Sequence, residues 1–150
     1  MRTIDLESAS SLFDWKEFEN FARLAFESSG FEVNQNHRLK NPRIEIDILA
    51  HRGDLAFSAD CKHWKRTVGR ATMLQVGERQ IERSKRVLDS FRRVVPMVLT
   101  WHDERLRVLE NGVPIVPISM LADFLLNWES SESEILVLTK SEYQGKLHAL

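Results

Sequence analysis

Residues 43–64 read RIEIDILAHRGDLAFSADCKHW, and the fold turns on how this stretch is read. Ile44, Ile46 and Ile48 alternate with Glu45 and Asp47, the period of a strand with one apolar and one acidic face. Leu55, Phe57, Ala59 and Cys61 alternate with Ala56, Ser58, Asp60 and Lys62, a second strand. Arg52, Gly53 and Asp54 lie between them as a tight turn. With Gly53 and Asp54 as the two loop residues, a glycine-first loop suits a type II′ hairpin. Paired residue numbers then sum to 107, so Asp47 faces Asp60 and Glu45 faces Lys62. Facing residues share one side of a sheet, roughly 5 Å apart at Cβ. A loop of another length would set Glu45 opposite Asp60 instead. Like charges facing each other destabilise a sheet, so the arrangement asks for a cation or a functional reason. The plainer reading is a surface hairpin closed by an Asp47–Lys62 or Glu45–Lys62 cross-strand pair.

Working outward, the 150 residues suit a single domain with a proper core. The boundaries expected are a core over about 15–128 and a C-terminal extension over 129–150. With 43% apolar and 29% charged residues, the composition is that of an ordinary soluble globular chain. The net charge of −1 hides an asymmetry: residues 1–32 hold three basic and seven acidic residues, residues 62–93 ten basic and three acidic. A basic block of that kind points to an anionic partner, or else to a solvated helix face. The one cysteine, Cys61, excludes an internal disulfide and makes a reducing compartment the default. No apolar run reaches the roughly 20 residues that span a membrane. The first residues are acidic, without the apolar core of a signal peptide, so a cytoplasmic protein is expected.

In chain order, an amphipathic helix is predicted over 14–29. Trp15, Phe18, Ala22, Ala25, Phe26 and Phe21 form its stripe, Ser10, Ser11 or Asp14 its cap, and Gly30 its stop. Phe31 to Val33 starts a short strand, and the polar run 34–42 reads as a loop or ragged strand end. After the hairpin comes a basic turn with Gly69, then a helix over about 71–91. Met73 or Leu74, Val76, Ile81, Val87 and Leu88 would face inward and Arg79, Arg83, Lys85 and Arg86 outward, with Gln75 and Gln80 read as plain polar positions. Residues 94–101 form a nearly continuous apolar, β-branched run, a buried central strand with Pro96 near its start. His102 to Glu104 is a turn, Arg105 to Leu109 alternates, and Val113 to Ile118 is a strand whose Pro114 and Pro117 suggest an edge. A helix from Met120 to Trp128 capped by Ser119, a strand over Ile135–Thr139 and a loose tail over 141–150 complete the chain. Helix, hairpin and strands in this order make an α/β fold, a mixed β-sheet flanked by helices. A β-α-β crossover joins the Asp60 strand to the Val94 strand.

Two carboxylates about 5 Å apart, with a lysine two residues past one of them, suit a hard divalent cation. Mg²⁺ is held by one or two carboxylates and keeps waters and phosphate oxygens in its shell. Asp47, Asp60 and the backbone carbonyl of Cys61 are the candidate ligands, and Lys62 is placed to orient an attacking water. The acid-x-Lys tripeptide is weak by itself, since Asp14-Trp15-Lys16 matches as well. The hairpin register and the adjoining basic helix single out Asp60-Cys61-Lys62.

Asp47 followed at thirteen residues by Asp60-Cys61-Lys62 resembles the PD-(D/E)xK nuclease motif. More narrowly, the chain is similar to the Mrr-like restriction endonucleases and, further off, to archaeal Holliday-junction resolvases. Phe18-Glu19 and Gly30-Phe31-Glu32-Val33 resemble that group's first helix and strand, and Ile46 to Ala50 the strand with its first catalytic acid. Asp60-Cys61-Lys62-His63-Trp64 is similar to its active strand end, and Val68-Gly69 with Gln75 to the turn and helix after that strand. Asn111-Gly112-Val113-Pro114-Ile115 to Leu121 looks like its late strand and helix. The resemblance spans about residues 15–128 and rests on order and spacing. It implies a restriction-endonuclease-like fold, Asp47 and Asp60 as holders of Mg²⁺ (Mn²⁺ as substitute), and Lys62 as positioner of water. It further implies Glu19 as a third acid or second-ion ligand and Gln75 as a polar contact at the site. Ile46 stands where the motif name has proline, and Asp60 where Glu or Gln is more usual, a shorter arm that shifts the metal.

The function expected is metal-dependent DNA endonuclease. His63, Lys65, Arg66 and Arg70, directly after the active strand, and Arg79, Arg83, Lys85, Arg86, Arg92 and Arg93 would grip phosphates, which positions DNA without reading its sequence. A duplex has two strands and this chain one site, so a homodimer is expected, with Val113–Trp128 as its interface. The competing readings are a catalytically inactive nucleic-acid binder of the same fold, a structure-specific or RNA-processing nuclease, and an interaction protein whose basic helix meets an acidic partner.

Overall fold

The computed structural model describes residues 3–64, 66, 68–101 and 105–140, with backbone alone for 3–14. The expected turn at His102 to Glu104, the phosphate contact Lys65 and the tail over 141–150 lie outside the described residues. The elements run α1 (Thr3–Ser28), β1 (Glu32–Leu39), β2 (Ile44–Arg52), β3 (Leu55–Lys62), α2 (Arg70–Lys85), β4 (Arg93–Thr100), β5 (Arg107–Val108), β6 (Pro114–Pro117), α3 (Leu121–Asn127) and β7 (Leu138–Thr139). One seven-stranded mixed sheet has the order β1-β2-β3-β4-β6-β5, with β7 paired to the start of β4. This is the α/β arrangement expected from the sequence, a mixed β-sheet flanked by helices.

The central hairpin has the glycine-first turn: Gly53 carries φ +60° while Asp54 stays at negative φ. The β2–β3 register runs from Arg52↔Leu55 to Ile48↔Ala59, every pair summing to 107. β3 and β4 are parallel, joined through α2, the crossover expected. β3 is buried along its length to Cys61, and β4 from Val94 to Thr100, as suits strands covered on both faces. Phe57, Met97 and Leu99, with Phe18, Ala22, Phe26 and Leu121, form the core on the α1 and α3 side. Each such large side chain, fully buried, contributes on the order of 1.5–3 kcal/mol. Val87, Leu88 and Val94, and separately Val76, Ile81, Val98 and Ile115, form the core under α2.

The end of α1 is set by its last residues. Phe31 N–H reaches the Phe26 carbonyl (3.0 Å) and Gly30 N–H that of Glu27 (3.0 Å), with Gly30 at φ +89°. The Phe26 and Phe31 rings meet edge-on at 5.9 Å, the apolar contact that accompanies this helix stop.

Several expectations are corrected. α1 begins at Thr3, so Asp14 lies inside the helix and is no cap. Phe21 is 48% exposed, off the buried stripe, and stacks on Trp101. β1 continues through the polar run to Leu39: it is an edge strand whose side chains are mostly solvated, so polarity there signals no loop. β6 is no edge, because β5 pairs outside it. β5 is two residues long, which leaves little ladder for the prolines of β6 to interrupt. α2 stops at Lys85, and Val87 and Leu88 join the core from the turns beyond it.

Candidate active site

The site lies where β2 leaves β3. The described ladder on both sides of Asp47 is interrupted. β1 pairs Gln35↔Ile48 and His37↔Ile46 but skips Asn36↔Asp47, with Asn36 in the left-handed region at φ +53°. The β2–β3 ladder stops at Ile48↔Ala59, one step before Asp47 would meet Asp60. Strict alternation breaks at the same point: Ile48 packs on the α1 side, whereas Ile46 joins Val87 and Leu88 on the other. The freed amide of Cys61 donates instead to the Asp47 side chain, Oδ2 at 2.9 Å. A side-chain acceptor thus replaces a backbone one, and the carboxylate of Asp47 is pinned beside that of Asp60.

The alternative first acid, Glu45, is exposed on β2 opposite Arg38 and pairs with it at 3.7 Å. It belongs to the surface of the β1–β2 hairpin, away from Asp60.

Asp60 is 8% exposed. Its Oδ2 is buried with no hydrogen-bond partner among the described residues, and Lys62 Nζ stands 3.4 Å from it. Lys62 offsets the charge, but a buried carboxylate oxygen that accepts no hydrogen bond is still costly. At Asp47, its own burial above all, with help from the adjacent Asp60 carboxyl, pushes the pKa from 3.8 up to about 6, against the Cys61 N–H bond and the charge of Arg83. Two crowded carboxylates, one with an oxygen that accepts no hydrogen bond, are the donor set that a hard cation satisfies. The residues present therefore fit Mg²⁺, with Asp47, Asp60 and the Cys61 carbonyl as candidate holders.

Glu19, on α1, is half-buried. Its charge, with those of Asp47 and Asp60, acts on the Cys61 thiol, which burial above all holds well above its usual range. The thiol is thus a protonated core group and no nucleophile. Among the described residues no set of three His, Cys, Asp or Glu side chains is gathered as a metal centre. Asp47 and Asp60 accordingly stand as a pair, with Glu19 in the wider field.

The expected basic contacts divide by place. Arg66, Arg70 and Arg79 are exposed. Arg70 pairs with Glu110 and Lys85 with Glu82. Arg86 is given to the fold: its guanidinium donates to the carbonyls of Pro42 (3.0 Å) and Lys40 (2.9 Å), closing the β1–β2 connection. His63 is half-buried among Trp15, Phe18 and Trp101, stacked on the last at 5.9 Å. Gln75 is exposed on α2.

Of the two polar side chains that α2 turns inward, Gln80 and Ser84, both fully buried, Gln80 is the one that reaches β3. Its Nε2 donates to Ser58 O (2.8 Å) and Ser58 Oγ (2.9 Å), two residues before Asp60. Its Oε1 accepts from Arg83 Nη1 (3.3 Å), and that nitrogen stands 4.0 Å from Asp60 Oδ1. The signal was in the sequence: Met73, Val76, Gly77, Gln80, Ile81 and Ser84 are one stripe at spacings of three and four, and Gln80 is its large polar member, out of place where the small Ser84 is not.

Residues 11–101, well over half of the chain, match the family model of the Mrr catalytic domain, described as restriction endonuclease. The chain belongs to the restriction endonuclease family. The matched span includes α2, the whole β2–β3 hairpin and β4, and so contains Asp47, Asp60 and Lys62. The crystal structure of AF1548, a protein of unknown function, overlaps at a TM-score of 0.44 with 20% identity, covering 56% of this chain and 46% of the other. Comparison with curated proteins gives no match.

Proposed function

We propose that this restriction-endonuclease-family chain hydrolyses phosphodiester bonds of DNA with a divalent cation, at the patch formed by Asp47, Asp60 and Lys62. The observation that carries this reading is the crowding of two carboxylates: Asp60, whose buried Oδ2 accepts no hydrogen bond and has the Lys62 ammonium at 3.4 Å, beside an Asp47 whose carboxyl is pushed up to about 6. A fold stabilised for its own sake would separate such charges or give each a full partner. When bound, Mg²⁺ polarises a phosphoryl oxygen and lowers the pKa of a water.

The chain's own residues do the rest. Asp47, tied to Cys61 N–H, offers a carboxylate in one fixed orientation. Asp60, near the end of β3 and within its buried run from Leu55 to Cys61, offers a second from a rigid strand. Lys62, two residues further on the same strand face, holds the attacking water by a hydrogen bond and offsets charge growing on the phosphate. Arg66 and Arg79, exposed after the active strand and on α2, meet the flanking phosphates. One site per chain and two strands per duplex make a homodimer the working assembly.

The test is incubation of the purified chain with plasmid, branched and single-stranded DNA and with RNA, in Mg²⁺, Mn²⁺ or EDTA. Cleavage of a DNA form only with metal supports the proposal. Binding that survives EDTA, with no cleavage under any metal, would instead make it a binding protein of nuclease fold. Preferential cleavage of RNA would assign it to RNA processing.

A further inference from the structure

Gln80 and Arg83 reach Asp60 from the helix side. Their arrangement goes beyond the reading of the site just given, on which it rests. A glutamine with no exposed surface, on the stripe that α2 turns to the sheet, makes three side-chain contacts. Two fasten it to Ser58 on β3, and the third holds the guanidinium of Arg83. Arg83 is thereby denied the freedom of a surface arginine and kept 4.0 Å from Asp60 Oδ1. Lys62 stands at the other oxygen, 3.4 Å from Oδ2. The two oxygens of Asp60 are thus divided between two cations, one on its own strand and one sent across from α2.

We infer that Arg83 is the built-in counter-ion of the Asp47–Asp60 pair, aimed by Gln80 as a positioning residue, and that it sets how tightly the pair takes a divalent cation. In the metal-free protein the Asp60 carboxylate is balanced by Lys62 at Oδ2 and, at longer range, by the Arg83 guanidinium at Oδ1. Its positive charge, which also reaches Asp47, opposes an incoming cation. Arg83 therefore orders the site in the metal-free protein at the expense of metal affinity. A plain phosphate anchor would have no influence on metal affinity without DNA, and a plain packing role for Gln80 would leave it unchanged or weaken it.

The sign of the effect is therefore the test. Mn²⁺ binding to the DNA-free, full-length chain is titrated by electron paramagnetic resonance for wild type, Arg83→Met, Gln80→Leu and the double variant. Thermal unfolding in EDTA establishes that each is folded. Arg83→Met is expected to bind Mn²⁺ roughly three- to tenfold more tightly, the scale of an interaction between partly screened charges. Gln80→Leu should shift affinity in the same direction, because it releases the guanidinium. The double variant should match Arg83→Met alone, because both changes act through one charge. Gln80→Met replaces Gln80→Leu if the latter does not fold. Unchanged or weaker Mn²⁺ binding in folded Arg83→Met overturns the inference, and additive single effects remove Gln80 from it. Failure of the wild type to bind Mn²⁺ at all would strike the metal-site reading itself and the inference with it.

Discussion

Replacing Asp47 by asparagine should stabilise the metal-free protein while abolishing its cleavage activity. Asparagine keeps an oxygen for the Cys61 N–H, bonded at 2.9 Å to Asp47 Oδ2, and removes the charge beside Asp60. The carboxyl of Asp47 moves from 3.8 to about 6 on folding, so the native state binds its proton more tightly than the unfolded chain does. The stabilising effect of that proton is fully present below pH 3.8 and is lost as pH rises through about 6. Above about pH 7 the wild type thus carries the whole cost of ionising Asp47 and the variant none. Two pKa units correspond to a ceiling of roughly 3 kcal/mol. Asp47 is only part-buried, and screening by water brings the expected gain to about 1–2 kcal/mol. For a chain of this size that is a rise in Tm of about 3–6 °C. The assay is thermal unfolding in EDTA at about pH 8 and at a series of lower pH values, where the difference should shrink through about pH 6 and close only below about pH 3.8. In Mn²⁺ at about a hundred times its Kd, the order should reverse, since a ligand bound only to the native wild type adds about 2.7 kcal/mol. A variant less stable than wild type at the higher pH in EDTA would refute the claim that the paired carboxylates are held at a cost.

Mn²⁺ binding to the wild type should weaken about tenfold per pH unit below about 6, where the proton on Asp47 competes; titration between about pH 5 and 8 measures it. Arg79→Ala should weaken DNA binding and reduce the salt slope by about one, read by fluorescence anisotropy across salt concentrations. Arg86→Ala should cost about 1–3 kcal/mol in urea unfolding, because its bonds to the Lys40 and Pro42 carbonyls close the β1–β2 connection. Gly112→Ala should be destabilising by more than about 2 kcal/mol: a Cβ there would sit 2.9 Å from the Leu136 backbone nitrogen, at φ +86°.

The hairpin was legible because its turn carries its own instruction. Gly53 before Asp54 sets the loop length, and loop length sets register. The apolar runs of β3 and β4 and the helix between them then leave little choice of topology. The interruption of the ladder at Asp47 was not legible. Alternation of Ile44, Ile46 and Ile48 predicts one flat face, and nothing local shows that Ile46 packs on the other side. That break depends on Asn36 in the left-handed region of the neighbouring strand and on the Cys61 amide bonding a side chain. Gln80 was visible as a polar member of an apolar stripe, but its partner Ser58 is 22 residues away and the pairing needs the fold. The roles of Arg70, Lys85 and Arg86 likewise escape a count of charges, since a basic residue on a helix reads the same whether it faces phosphate, a glutamate or a carbonyl.

The most direct test of the central proposal is cleavage of supercoiled plasmid by wild type, Asp60→Ala and Lys62→Ala, with Mg²⁺ or with EDTA, alongside DNA binding by the same proteins. The expected result is nicking or linearisation by the wild type with Mg²⁺ alone, none in EDTA, and none by either variant although both still bind DNA. Wild-type protein that cleaves equally well in EDTA, or an Asp60→Ala protein that keeps cleaving, would contradict it.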